Sequence, residues 1–265
     1  MTDMYHLNQI PSEAQVKKYL RRILFGKNVF CPGCRSRRIV RYESRYRCTS
    51  CRLKFTLISH TWLKGMKLSY QKFWMILWCW TTQIPVRQAQ ALSRLPEETI
   101  RHWYDLFRTH LPKNPVILER VVQLDEAYGK RWTLLMGKQK GTRNLAFEVL
   151  SGSVQRHHAA SFLEQYVKPR SRLYTDGALI YRGINQWWPV RHTRDIHRKF
   201  EFTHTSEIEG VFGNFRTFIR RMYHHVTPEK IPEYVSEFAF RFSSPEIFAD
   251  PHTYLQKSLM LVPFD

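Results

Sequence analysis

Asp125, Asp176 and Glu209 sit in three short motifs far apart in the chain: Val-Val-Gln-Leu-Asp-Glu (121–126), Arg-Leu-Tyr-Thr-Asp-Gly (172–177) and Thr-Ser-Glu-Ile-Glu-Gly (205–210). Each aspartate follows a short apolar or β-branched run, the pattern of a strand delivering its last side chain at the mouth of an α/β sheet. Two carboxylates so placed, joined by a third from a helix, can hold a pair of divalent cations about 3.5–4 Å apart. Such a pair stabilises both the attacking and the leaving oxygen of an in-line phosphoryl displacement. Magnesium suits an all-oxygen set, because it prefers carboxylates and keeps positions for water and phosphate. Asp at a strand end is equally common as a helix or turn cap, so either residue alone is ambiguous and the pair carries the reading.

A second chemistry is written in cysteine. Cys31-Pro32-Gly33-Cys34 and Cys48-Thr49-Ser50-Cys51 are two CxxC knuckles separated by 13 residues. Four thiolates at that spacing complete a closed tetrahedral zinc site, and a segment this small needs such a staple to fold. Paired disulfides do not suit a cytosolic chain, and a redox CxxC does not recur at ribbon spacing. Ile39–Tyr42 and Tyr46-Arg47 are predicted as the strands between the knuckles. Cys79, inside an apolar run, is expected to be a small buried hydrophobe.

Elements must position these groups. Pro11-Ser12-Glu13-Ala14 opens a short helix with Ser12 as N-cap and Val16, Leu20 and Ile23 or Leu24 on one face, up to Gly26. Residues 68–82 are predicted as a helix whose Trp74, Leu77 and Trp78 form a core stripe. After Pro85, segments 86–95 and 97–108 fit a helix-turn-helix in which Ala91 and Leu92 face Ile100, Trp103 and Leu106 or Phe107. Its second helix would turn Arg101, His102 and Arg108 outward to DNA. From Val116 the pattern becomes α/β: strands 121–124, 132–136 and 145–150, a turn at 137–141, a helix near 158–167, and strand 172–175 ending at Asp176. A helix from Thr205 carries an apolar stripe of Ile208, Val211, Phe212, Phe215 and Ile219, which puts Glu207 and Glu209 on opposite flanks. Glu209 shares its flank with Ser206, Gly213, Arg216 and Arg220, an acid followed by an open position and two guanidiniums suited to metal, approaching backbone and phosphate. It is therefore the expected third acid, with Glu207 in reserve.

Composition points to a polyanionic partner. The chain has 42 Lys and Arg against 22 Asp and Glu, a net charge of +20, and a pI near 10.0. Residues 1–60 hold 13 of the basic side chains against Asp3, Glu13 and Glu43, so half of the excess is at the front. Arg35, Arg37, Arg38, Arg41, Arg45, Arg47, Arg52 and Lys54 surround the cysteines, and phosphate contact is their natural use. The most apolar run, Phe73–Trp80, is far too short to span a membrane, and the N-terminus lacks a signal-peptide pattern, so a cytosolic, membrane-free protein is expected.

Taken in order, the two knuckles, the helix pair, "LDEAY", "YTDG" followed by "IY", "HTSEIEGVFGNFR", "YHHV" (223–226) and "YVSEFAFRF" (234–242) resemble the bacterial insertion-sequence DDE transposases of the ISXO type. The likeness implies an RNase H-like mixed sheet flanked by helices, two magnesium ions, one structural zinc, cleavage of element ends and strand transfer to target DNA. By position it makes Asp125, Asp176 and Glu209 the catalytic acids. Arg216 and Arg220 would then steady phosphate, and the front of the chain, through Arg37, Arg38 and Arg101, would grip the terminal inverted repeats. Joining two ends implies a dimer or larger assembly. Four segments are expected: helix and ribbon (1–62), helical DNA-binding module (63–115), catalytic domain (116–245) and tail (246–265). This sequence has Ser206 where the family commonly has Asn and Arg216 where it has Lys. A Gly-Gly and basic run is missing after Asp125, and Ser243-Ser244-Pro245 stands where Asn and Arg follow "FRF". A degenerate relative that binds DNA without cutting it is the alternative these departures allow, and a structure-specific nuclease without strand transfer is a third.

Overall fold

A computed structural model describes residues 10–43, 45–112, 116–194, 205–224 and 226–262. Asp3, His204 and His225, with the ends of the first and last expected segments, lie outside the described residues. The chain divides into two compact units, Met1–Pro112 with Glu246–Asp265, and Lys113–Pro245.

In the first unit, α1 (Glu13–Phe25) begins at a capping box: the Gln15 N–H donates to Ser12 Oγ, and the Gln15 side chain takes the Ser12 N–H at 2.7 Å. That satisfies two donors the helix start would otherwise leave open. Three strands follow as an antiparallel meander, β1 (Ile39–Tyr42), β2 (Arg45–Cys48) and β3 (Lys54–Phe55). Phe55 of β3 is buried and stacks on Tyr46 with ring centroids 5.4 Å apart.

The helix α2 (Tyr70–Thr81) starts at Ser69, whose hydroxyl caps Lys72 N. Phe73, Trp74, Ile76, Leu77, Cys79 and Trp80 are all buried, whereas Trp78 is only half-buried. The predicted stripe is thus corrected to a helix buried nearly all round, as its almost unbroken apolar sequence requires. It packs against α3 (Val86–Ser93), α4 (Glu97–Thr109) and α8 (Pro251–Ser258). Tyr254 of α8 fixes that packing by donating its hydroxyl to Phe107 O at 2.7 Å. The face of α3 turned inward is Val86, Ala89 and Ser93; Ala91 is exposed, which corrects the expected packing partner. Arg108 is also corrected: it is buried and paired with Asp105 at 2.6 Å, so only Arg101 and His102 of the expected readers face outward.

The second unit is built on a five-stranded mixed sheet. Its strands are β4 (Val121–Tyr128), β5 (Trp132–Gln139), β6 (Leu145–Ser151), β7 (Arg172–Thr175) and β8 (Arg191–Arg194) in the order β6-β5-β4-β7-β8. β6, β5 and β4 run antiparallel, and β4, β7 and β8 run parallel, with α5 (Arg156–Tyr166) as the crossover. This is the RNase H-like arrangement. Leu118, Val122, Leu124, Leu135, Phe162, Leu163, Leu173, Tyr181 and Ile184 fill one face. Over the other lies α6 (Ser206–Met222), whose Ile208 N–H donates to the buried Gln123 Oε1 at 3.1 Å. Phe218, absent from the expected stripe of α6, is buried, while Ile219 is half-buried. Then α7 (Ile231–Ser243) packs on β6 and α6. Ser243, one of the departures from the family pattern, donates its hydroxyl to Arg143 O at 2.8 Å and so ties α7 to the β5–β6 turn.

β4 does not end before Asp125 as expected. It continues to Tyr128 because β5 pairs with it residue by residue, Asp125 opposite Met136. Pairing with β7 stops at Gln123↔Tyr174, so Asp125 lies inside a strand but just beyond the parallel ladder. Likewise β5 runs through Gly137 to Gln139, which displaces the predicted 137–141 turn toward residues 140–143.

Candidate metal and catalytic centre

β4 meets the start of α6 near the point where its pairing with β7 stops. Asp125 shares the sheet face of Gln123, the face α6 covers, and its Oδ1 accepts the Glu126 N–H at 2.8 Å. Asp176 follows the last residue of β7, and its Oδ1 takes the Ala178 N–H at 3.0 Å, which fixes the turn after the strand. Glu209 is exposed on the first turn of α6, and its Oε1 accepts the Thr205 hydroxyl at 3.3 Å. The three carboxylates share one electrostatic neighbourhood. Burial pushes the Asp125 carboxyl up to about 7, opposed by the Glu126 N–H and aided by the negative charges of Glu126, Asp176 and Glu209. A buried acid among like charges resists ionisation.

Glu126 is a fourth acid that sequence reading passed over. Its carboxyl is raised by burial and by Asp176, against the pull of the Tyr181 hydroxyl, which donates to it. Tyr128 donates to the same carboxylate at 3.1 Å. Tyr181 stood in plain view as the tyrosine of the "IY" after "YTDG". Its partner could not be read from a one-dimensional pattern. On the neighbouring strand, the His192 ring is pushed down to about 4 by burial and by Arg194, and it shares a 2.9 Å hydrogen bond with the Thr175 hydroxyl.

Glu207 points elsewhere. It pairs with the buried Lys138 of β5 and accepts the Gly141 N–H at 3.1 Å, and these contacts hold its carboxyl below the usual range. The two flanks of α6 therefore divide as the 100° spacing implies, one closing on β5 and the other carrying Glu209. Arg216 and Arg220 are exposed on the Glu209 side, and a Cβ built on Gly213 would meet nothing within 4 Å. That side of α6 is open to solvent.

An oxygen-only donor set that includes a buried, hard-to-ionise carboxyl fits a hard divalent cation, which would relieve the repulsion it feels. Among the described residues, the four cysteines are the one group of three or more His, Cys, Asp or Glu whose ligand atoms all lie within 4.8 Å of one another. The carboxylates stand wider than that. A closed tetrahedral centre needs the tight spacing, whereas ligands shared between two cations about 3.5–4 Å apart spread further.

The cysteine site is geometrically complete. Cys31 Sγ lies 3.5 Å from Cys51 Sγ, and Cys34 Sγ lies 3.6 Å from Cys48 Sγ. Zinc–sulfur bonds near 2.3 Å give a tetrahedron with edges of about 3.8 Å, so one zinc ion fits between them. Backbone N–H groups of Cys51 and Ser50 push the Cys48 thiol down to about 6, toward the thiolate that ligates metal. Cys79 stays outside: burial raises its thiol to about 12, as suits an inert core residue. Around the ribbon, Arg37, Arg38, Arg41, Arg45, Arg47, Arg52 and Lys54 are all exposed. Arg101 on α4 is exposed too, although its guanidinium is held by Glu97 at 2.6 Å.

The model of a transposase zinc-ribbon domain matches residues 11–54, and that of an ISXO2-like transposase domain matches residues 118–243. A search of curated proteins found no match. Among solved structures, the cryo-EM structure of the simian T-cell lymphotropic virus intasome in complex with PP2A regulatory subunit B56 gamma is similar, with a TM-score of 0.36 and 10% identity over 63% of this chain and 67% of that chain. The two domain models are of one transposase group, lie in the expected order, and between them cover both the cysteine site and the three acids; the chain belongs to the ISXO2-like, IS1595-type family of DDE transposases.

Proposed function

We propose that the chain is a catalytically competent DNA transposase, which cleaves the ends of an insertion element and joins the freed 3′-hydroxyl to target DNA. The observation that carries this reading is the placement of three acids about one end of the sheet: Asp125 on the face that α6 covers, just beyond the β4–β7 ladder, Asp176 directly after β7, and Glu209 on the first turn of α6. These residues would hold two magnesium ions. Bound there, magnesium supplies activation of water and neutralisation of charge at the phosphate being displaced. The chain's own residues do the rest. The Glu126 N–H orients Asp125, and Tyr181 and Tyr128 keep Glu126 in place behind it. Arg216 and Arg220 lie seven and eleven residues along α6 from Glu209, roughly 10 and 16 Å by helical rise, where they can grip flanking phosphates with paired N–H groups. Arg37 and Arg38 on the ribbon, and Arg101 once it trades Glu97 for phosphate, are assigned to the DNA backbone. Two ends must be held together, so a dimer or larger assembly on DNA is part of the proposal, as is action in the cytosol.

The contrast between the two glutamates of α6 tests it. With a DNA end carrying a pre-cleaved 3′-hydroxyl, magnesium and a target duplex, the parent chain should yield joined products. Glu209→Gln should slow joining by about 10²–10³-fold, the scale of one transition-state interaction removed. Glu207→Gln should instead keep its joining rate and lose about 1–3 kcal/mol of stability, because Lys138 is left buried without its counter-charge. Equal rates for Glu209→Gln and parent would sink the assignment, and cleavage without joining would leave a nuclease.

A further inference from the structure

The acids occupy one end of the parallel strands, and the opposite end of the same strands is lined with arginine. Arg120 immediately precedes β4, Arg172 opens β7 and Arg191 opens β8; Arg172 and Arg191 are register partners on adjacent strands. With Arg170 they line a cavity of about 420 Å³, completed by Val121, Pro189 and Val190. Among the described residues, no carboxylate lines it. The acid nearest in sequence, Glu119, is ion-paired to Lys168 at 3.1 Å. All four guanidinium-bearing residues are exposed, so the cavity opens to solvent.

Backbone bonds hold the four residues in place. The Arg172 N–H donates to Arg120 O at 2.7 Å, Arg191 N–H to Ser171 O at 2.9 Å, and Arg170 N–H to Pro189 O at 2.6 Å. Arg120 and Arg170 also have positive φ, 64° and 68°, a left-handed conformation that glycine adopts far more cheaply. Four like charges gathered around one cavity repel one another, and an anion with several oxygens relieves that repulsion.

We propose that this arginine-lined cavity at the N-terminal ends of β4, β7 and β8 is a second DNA contact, which binds backbone phosphates other than the one being cleaved. It rests on the reading that DNA is the substrate. Arg172 and Asp176 are four residues apart on an extended strand, about 13 Å, too far for one phosphate to meet both. An open cavity lined by separate guanidiniums suits successive phosphodiesters of a polymer, each taken bidentately.

The test is the salt dependence of binding to a random-sequence duplex, read by fluorescence anisotropy on the full chain without added divalent cation. Every phosphate that goes unneutralised lowers the slope of log affinity against log salt by about 0.9. Arg172→Ala/Arg191→Ala should therefore flatten the slope by about 2, and Arg172→Lys/Arg191→Lys should restore most of it. The charge-matched pair Arg156→Ala/Arg182→Ala, exposed elsewhere on the same unit, should leave the slope as it is. A melting curve on each variant distinguishes a missing phosphate partner from a failure to fold. The proposal is overturned if the Arg172/Arg191 pair changes the slope no more than the control pair does. Cleavage does not enter this measurement, so a chain that binds here yet never cuts contradicts the proposed function and leaves this site standing.

Discussion

Asp125→Asn is expected to lower magnesium-dependent cleavage of element-end DNA by about three orders of magnitude or more, and also to make the metal-free protein more stable at neutral pH. The first effect follows from weakening the proposed metal site, since a cation bound there would supply several kcal/mol of charge stabilisation at the displaced phosphate, each 1.4 kcal/mol or so being a factor of ten. The second follows from the cost of ionising a buried acid. Burial, with the charge of its acidic neighbours, pushes the native Asp125 carboxyl up to about 7, against about 3.9 in an unfolded chain. Between those values the native state keeps a proton that the unfolded state has released, so rising pH removes stability across that window and no more above it. The neutral amide has no such penalty. The stability gained by Asp125→Asn over the parent should therefore grow from about pH 4 to about pH 7 and then level off. Denaturant titrations at several pH values, paired with a cleavage assay, check both halves. A variant that is inactive but less stable at pH 7 would make Asp125 a structural residue.

Removing the zinc site should have the other large effect. Cys48→Ser takes away a buried thiolate, and structural zinc in such small modules contributes about 10–16 kcal/mol of apparent binding energy that is also folding energy. Little else holds the ribbon: its three strands bury Phe55 and half-bury Tyr46, with Phe25 and Phe30 beside them. The variant should lose its bound zinc, and trypsin should cut at Arg37, Arg38, Arg41, Arg45 and Arg47, which fold and metal otherwise protect. Metal analysis and limited proteolysis read the two consequences separately. Full zinc content, or unchanged protection of residues 31–55, would show that three thiolates suffice.

What the sequence displayed and what it hid have physical reasons. The cysteine spacing was legible because a metal site made from two knuckles is a local constraint. The place of Asp176 directly after a strand was legible because an apolar run ends there, whereas Asp125 lies inside its strand because β4 runs on under the pairing imposed by β5. The two flanks of α6 followed from the helical angle. Glu209 was preferred to Glu207 for the residues that share its flank; what the sequence could not display is that Lys138, 69 residues earlier, draws Glu207 to β5. β8 was missed: Arg191-His192-Thr193-Arg194 has no apolar alternation and is a strand because β7 offers it a parallel ladder. Two-residue β3 is too short to have a period at all. Arg108 looked like a surface reader, and only the packing of α4 shows it buried on Asp105. Glu126 was hidden by adjacency, since neighbouring residues of a strand face opposite sides, yet the charge of Asp176 acts on both Asp125 and Glu126.

In the proposed function, Asp125, Asp176 and Glu209 share divalent metal. Iron-mediated cleavage of the polypeptide tests it most directly: ferrous ion exchanged into the site generates radicals that cut the backbone beside its ligands. The expected result is cutting near residues 125, 176 and 209 together, suppressed by excess magnesium and absent from Asp176→Ala. Cuts confined to the cysteine ribbon, or cuts at the three acids that magnesium does not suppress, would contradict it.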